Sequence, residues 1–183
     1  DVIKTTQFYG GDYDFLALGE FVIVRGVVLY KTHYLFNGDA QPYQNQGSHT
    51  EYAYLKDKNT LILKNYSFSG SAYGVASNND LNIVLEGASI SLEAKGDYHA
   101  IYVDGNLTIS KTTGFSGKMT AKSANSNAID IYGNLTIDGV DVTVTTSNDY
   151  CVGVSGNLTL NSGSLAMTCT YTGTSYAYNA LVV

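Results

Sequence analysis

Between residues 99 and 160 the chain repeats one pattern of apolar and polar positions three times. His99-Ala-Ile-Tyr-Val-Asp-Gly-Asn-Leu-Thr-Ile109, Asn127-Ala-Ile-Asp-Ile-Tyr-Gly-Asn-Leu-Thr-Ile137 and Tyr150-Cys-Val-Gly-Val-Ser-Gly-Asn-Leu-Thr-Leu160 align without a gap. Ile101 and Val103, Ile129 and Ile131, and Val152 and Val154 alternate with other residues at the period of two expected of a half-buried strand. A turn follows at Gly105, Gly133 or Gly156, where glycine's access to positive φ is the expected reason for its presence. A second strand then points Leu107 and Ile109, Leu135 and Ile137, or Leu158 and Leu160 inward. A third, after a glycine-bearing bend, does the same with Ile90 and Leu92, Met119 and Ala121, Val142 and Val144, and Leu165 and Met167. Weaker copies begin at Tyr73 and at Asn179, so the starts 73, 99, 127, 150 and 179 lie 26, 28, 23 and 29 residues apart. Three short strands per turn, stacked on themselves about five times, predict an all-β parallel β-helix solenoid.

Upstream the pattern loosens. Leu61 and Leu63 read as an earlier second strand, and Tyr66 and Phe68 as its third. Residues 21–29 form an apolar strand broken at Gly26, and residues 37–50, with the lone Pro42, read as a loop. Residues 1–58 are therefore expected to be an irregular N-terminal β cap, with 1–19 and its Gly10-Gly11 as a loose lead-in, ahead of the repeats at 59–183. The last copy stops where its glycine turn is due, which leaves open strand edges and predicts further rungs, a cover or end-to-end self-association.

The repeated asparagine gains a purpose from the stacking. Asn106, Asn134 and Asn157 fall one above another at about 4.8 Å, so their amides can form a structural ladder with Gly105, Gly133 and Gly156 beneath it. The same asparagines and Asn65 also match the N-glycosylation pattern, the alternative reading.

Composition agrees with the solenoid and narrows the partners. Only 14% of the 183 residues are charged, with one Arg, one Pro and no Trp, against 19 Gly and 16 Tyr. A net charge of −6 without basic runs argues against nucleic acid, and no stretch is long and apolar enough for a membrane span. Cys151 and Cys169 have no metal-ligand or redox-motif spacing; they read as small semi-buried side chains, or as a bridge.

The entry at Val22-Ile-Val-Arg-Gly-Val27, the segment Asn59-Thr-Leu-Ile-Leu-Lys-Asn-Tyr-Ser67 and the Ala-Ile-x-Val-x-Gly-Asn-Leu-Thr-Ile rung together resemble the right-handed parallel β-helix domains of bacterial secreted and cell-surface proteins. These are pectin-lyase-like in shape and often carbohydrate-binding. The resemblance implies an exported, extracellular or cell-surface module that binds polysaccharide or a surface glycan. Some members bind calcium through acidic turn residues, a pattern largely missing here; no other cofactor is expected.

A catalytic site on a solenoid would draw on matching positions of adjacent rungs. Asp104 aligns with Tyr132 and Ser155, Asp130 with Tyr102 and Gly153, Asp138 with Ser110 and Asn161, and Asp141 with Thr113 and Ser164, so these four acids share no column. That counts against the polysaccharide lyase or glycoside hydrolase alternative. A structural spacer within a larger surface protein is the third class. His33, His49 and His99 are scattered and read as solvated or hydrogen-bonded. The sharper candidates are Tyr73, Tyr98, Tyr150, Tyr176 and Tyr178 in the rung-entry loops, where sugar rings could stack or, alternatively, where each ring simply closes its own loop.

Overall fold

The structure, a computed structural model, describes residues 2–4, 22–24, 27–29, 33–36, 39–42, 52–55, 58–170 and 180–183. The strands run in chain order as β1 (Val2–Lys4), β2 (Val22–Val24), β3 (Val27–Leu29), β4 (His33–Phe36), β5 (Asp39–Pro42), β6 (Tyr52–Leu55), β7 (Thr60–Lys64), β8 (Ser67–Gly70), β9 (Val75–Ser77) and β10 (Leu81–Glu86). Then come β11 (Ser89–Ala94), β12 (Ile101–Val103), β13 (Leu107–Lys111), β14 (Lys118–Ser123), β15 (Ile129–Ile131), β16 (Leu135–Thr146), β17 (Val152–Val154), β18 (Leu158–Cys169) and β19 (Leu181–Val182). From β7 onward every pairing with a neighbouring rung is parallel, and the whole is a β-solenoid of about five turns.

The register is the one the repeat predicts. Val75, Ile101, Ile129, Val152 and Leu181 stack in one column; Leu81, Leu107, Leu135 and Leu158 stack in another. Ile90, Met119, Val142 and Leu165 make a column of the third strands. These side chains fill one continuous core, in which Ile101, Ile109, Met119, Leu135 and Val144 are fully buried. Each such aliphatic side chain contributes about 1.5–3 kcal/mol by leaving water, and the parallel stacking buries the next rung's equivalent in the same way. The strands are grouped in two sheets, one built on the first strands of the rungs (β9, β12, β15, β17, β19) and one on the second and third.

Three strands per rung holds until the rung that starts at Asn127, where the second and third strands fuse into the 12-residue β16, and again into β18 above it. The fusion goes through a bulge that shifts register on either side of Asp138, with Gly139 at φ 73° and Gly163 at φ 92°. One expectation fails for that reason. Asp138 lies opposite Ser162, which donates to its Oδ1 at 3.3 Å, and not opposite Asn161.

At the N-terminal end the pairing turns antiparallel. β2 and β3 form a hairpin around the Gly26 break, β2 pairs β9, and β1 pairs β3. β6 pairs β7, and β4 joins β5 to β6. Two segments read as irregular are therefore strand: Val2–Lys4 within the lead-in, and Asp39–Pro42 within the expected loop. Among the described strands β5 is the sheet's edge, with Pro42 as its last described residue, a position that tolerates a missing N–H. The rest of the lead-in, residues 5–19, lies outside the described residues.

Asn106, Asn134 and Asn157 form the expected ladder. Each Oδ1 accepts from the backbone N–H and the side-chain Nδ2 of the next asparagine, at 2.9 and 2.8 Å from Asn106 to Asn134 and 2.9 and 3.3 Å from Asn134 to Asn157. The ladder begins on Asp80, whose Oδ1 accepts from the Asn106 N–H at 2.7 Å and from Nδ2 at 3.1 Å. The first member has only to accept, so a carboxylate serves there and an amide is required everywhere above. A second ladder has the same composition: Asn125 Nδ2 donates to Asp97, and Asn148 Nδ2 to Asn125.

The glycines beneath the first ladder have a different cause from the expected one. Gly105, Gly133 and Gly156 are not among the residues with positive φ. They are stacked backbone on backbone, Gly133 N–H on Gly105 O at 2.9 Å and Gly156 N–H on Gly133 O at 3.0 Å. A Cβ on Gly133 would lie 2.5 Å from Gly105 O.

Cys151 is buried and Cys169 half-buried, both as thiols, with their sulfurs 2.8 Å apart. Burial, and then the hydrogen bond with Cys169, push the Cys151 thiol up to about 12.

Candidate functional site

Outward positions of the first-strand sheet carry a run of aromatic and acidic side chains. In one rung Tyr102 and Asp104 face out on either side of inward Val103; in the next the order is reversed, Asp130 and Tyr132 about inward Ile131. Tyr102 stands opposite Asp130 in the register, so aromatic and carboxylate alternate both along the strand and across the rungs. The rungs are about 4.8 Å apart and i to i+2 spans about 6.6 Å, so this is a checkerboard of four side chains on a small area.

Three more rings extend it. Tyr73 packs edge-on against Tyr98 at 5.4 Å, lies parallel to the His99 ring at 5.9 Å, and meets Tyr102 at 5.8 Å; His99 meets Tyr102 at 5.6 Å, and Tyr102 meets Tyr132 at 5.8 Å. These ring pairs lie within the separation at which aromatic contacts are favourable. Tyr132, at the end of the chain of rings, is 58% exposed and offers its face to solvent. Burial, then the neighbouring Tyr132 and the negative Asp104, with smaller effects of Tyr73 and Asp130, push the Tyr102 phenol above its ordinary value. It stays a neutral donor throughout the physiological range.

The loops that present these rings are braced from inside. Buried Ser123 donates to Tyr98 O at 2.7 Å and accepts from Ser126 N–H, while buried Thr146 donates to Ser126 O at 3.0 Å. His99 Nδ1 is 2.8 Å from Asn127 O, which can only accept, so Nδ1 carries the proton. Asn127 Nδ2 in turn holds Asp130 Oδ1 at 3.0 Å. The Asn127 Oδ1 atom is buried and has no hydrogen-bond partner among the described residues. Gly153 completes the floor: a Cβ there would lie 2.7 Å from Asp130 Oδ1, so glycine is what lets the carboxylate lean across.

Ser126, His99 and Asp130 come together in a way that resembles a hydrolytic triad. Ser126 Oγ is 3.4 Å from His99 Nδ1, and His99 Nε2 is 4.0 Å from Asp130 Oδ2. The proton is on the wrong nitrogen for that chemistry. A serine nucleophile needs an unprotonated ring nitrogen facing it and the protonated one facing the carboxylate, and here Nδ1 is committed to Asn127 O.

The structure brings Tyr73 and Tyr98 of the expected tyrosines together but does not make one column of them. Tyr73 aligns with His99, Asn127 and Tyr150 through the register, whereas Tyr98 lies one residue earlier in its loop. Tyr150 is half-buried, with Asn127 between its rung and His99, and Tyr176 and Tyr178 lie outside the described residues. In the sequence His99 reads as a scattered histidine, Asp130 as an unstacked acid, and Tyr102 and Tyr132 only as the positions opposite acids, yet the alternation that places Ile101 and Val103 inward already places Tyr102 outward. Among the described residues no group of three or more His, Cys, Asp or Glu is placed to hold a metal ion, and no helix is long and apolar enough to cross a membrane.

Comparison with family models, with curated proteins and with solved structures finds no match.

Proposed function

We propose that this chain is an exported, non-catalytic β-solenoid module that holds polysaccharide against the outer face of its first-strand sheet. The observation that supports it is the continuous run of Tyr73, Tyr98, His99, Tyr102 and Tyr132 rings bordered by Asp104 and Asp130. Sugar rings present CH faces that pack on aromatic rings and hydroxyls that donate to carboxylates. The solenoid fixes the spacing of those groups through backbone ladders, so little entropy is lost on binding. Export agrees with the resemblance to bacterial secreted β-helix domains.

Affinity electrophoresis in polysaccharide gels tests the reading. Tyr102→Ala with Tyr132→Ala is expected to abolish most retardation, roughly a tenfold loss or more for two rings at about 0.5–1.5 kcal/mol each. Tyr150→Ala is expected to migrate as the parent. Release of soluble sugar during the run would favour the hydrolase or lyase reading, and the absence of any retardation would leave the spacer.

A further inference from the structure

Resting on that reading, we infer that the preferred ligand is a glycan bearing free amines, a polymer of 2-amino sugars, and that uronate polymers are rejected. The checkerboard places one carboxylate beside each outward tyrosine, Asp130 opposite Tyr102 and Asp104 two residues beyond it. A neutral sugar uses the rings and gains only hydroxyl hydrogen bonds from the carboxylates beside them. An ammonium group seated at the edge of a ring gains from both, from the ring's quadrupole and from the carboxylate.

Among the described side chains the lysines lie away from this face. Lysines with described side chains lie on the other sheet's strands, Lys64 on β7, Lys111 on β13 and Lys118 and Lys122 on β14, or in the loops beside them, Lys58 and Lys95. There Lys122 and Ser69 both donate to Glu93, at 2.8 and 2.7 Å, and hold its carboxyl below the usual range. The aromatic face keeps its two carboxylates without such a cation among the described side chains. Asp130 is held instead by the neutral Asn127 amide, with the His99 ring 4.0 Å away. A polyanion approaching this face meets like charge, and a polycation meets two carboxylates, of which Asp130 is already oriented by Asn127 and Gly153.

Retention on three matrices separates the possibilities: chitosan with free amines, the same polymer fully N-acetylated, and polygalacturonate. Expected are retention on chitosan roughly tenfold above the acetylated form, none on polygalacturonate, and a loss of the chitosan preference with added salt. Asp104→Asn with Asp130→Asn is expected to bring chitosan down to the level of the acetylated polymer. The charge-matched control Asp138→Asn with Asp141→Asn, on the other sheet, is expected to keep the preference, which separates a local effect from the net charge. Equal retention on the amine and acetyl forms, or equal loss in the control, overturns the amine inference and leaves glycan binding standing. No retention on any polysaccharide overturns both.

A different observation carries a second inference. The geometry points to Cys151 and Cys169 as a pair that closes to a disulfide, tying the entry to β17 to the end of β18 on the same rung. Their sulfurs are already in contact at 2.8 Å across 18 residues of chain, with Cys169 the more accessible. The two thiols give up two protons and two electrons to form the S–S bond, and a small-molecule disulfide such as oxidised glutathione accepts both and leaves as two thiols. Exchange begins at Cys169 through a mixed disulfide that Cys151 resolves. After incubation with oxidised glutathione, a non-reducing peptide map is expected to show the Cys151 and Cys169 peptides joined, with the protein lighter by two hydrogens. Reduction is expected to lower Tm by about 6–12 °C, and Cys151→Ser with Cys169→Ser is expected to be insensitive to reductant. Persistence of a glutathione adduct, or two alkylatable thiols after the treatment, overturns the pairing.

Discussion

Replacing Leu135 with alanine is expected to destabilise the protein by about 3–5 kcal/mol, while the same change at Leu158, one rung along in the same column, costs under about 1.5 kcal/mol. Leu135 is fully buried between Leu107 and Leu158. Its removal leaves a void that neighbours held in parallel register cannot collapse to fill. Leu158 is only partly buried, and among the described residues no strand pairs with β18 on its other side. Nearby Leu160 is 46% exposed. In a solenoid each rung is stabilised mainly by its two neighbours, so position in the stack decides the cost of an identical chemical change. Urea denaturation of the two variants measures this directly. Hydrogen exchange adds the spatial reading, with β18 expected to open before β13 and β16 in both proteins. Equal costs at 135 and 158 would mean that β18 is covered as well as β16.

The stacking was legible in the sequence because it is written as identity. The rung from Ala100 to Ile109 recurs almost residue for residue, and in a parallel stack equal residues at equal positions fix the register without any further information. Asn106, Asn134 and Asn157 were legible for the same reason, since an amide ladder needs the same side chain on every rung. What could not be read is what the repeat does not repeat. The bulge at Gly139 and Gly163 belongs to the last rungs only, and it moved Asp138 from Asn161 to Ser162. The N-terminal hairpins have no copy to be compared with, and the Asn, Gly, Gln, Ser and Pro of residues 37–50 read as a loop where β5 forms. The second ladder, Asp97 to Asn125 to Asn148, sits in entry loops whose lengths differ between rungs, and the alignment that exposed the first ladder slides past it. The aromatic face was half legible. The tyrosines of the entry loops stand out by recurrence, whereas the pairing of Asp104 with Tyr132 and of Asp130 with Tyr102 is present in the alignment of the acids but, weighed only for stacked carboxylates, does not by itself show that the rings beside them form one face.

The glycines give the other large effect, and they separate two causes that a sequence cannot. Gly133→Ala is expected to cost about 3 kcal/mol, at the upper end of overpacking, because the new Cβ would lie 2.5 Å from Gly105 O and 2.8 Å from Asn106 N, both backbone atoms with no side-chain freedom to yield. Gly105 O is also the acceptor of the Gly133 N–H at 2.9 Å, so relieving the contact pulls apart a rung-to-rung hydrogen bond and, one residue on, the Asn134 to Asn106 step of the ladder. Gly96→Ala is expected to cost about 1 kcal/mol by another route: nothing lies within 4 Å of its Cβ, but its φ is +72°. Asparagine distinguishes them, since it tolerates the left-handed region far better than alanine and yet carries a Cβ like any other residue. Gly96→Asn is therefore expected to recover most of the alanine loss. Gly133→Asn is expected to be at least as damaging as Gly133→Ala. Gly114→Ala, with open space at its Cβ and no positive φ, is expected to be close to neutral. Thermal unfolding of these five variants measures the contrast, and a rescue of position 133 by asparagine would return the cause to backbone conformation and remove the close approach of rungs as the reason for the Gly-Asn turn.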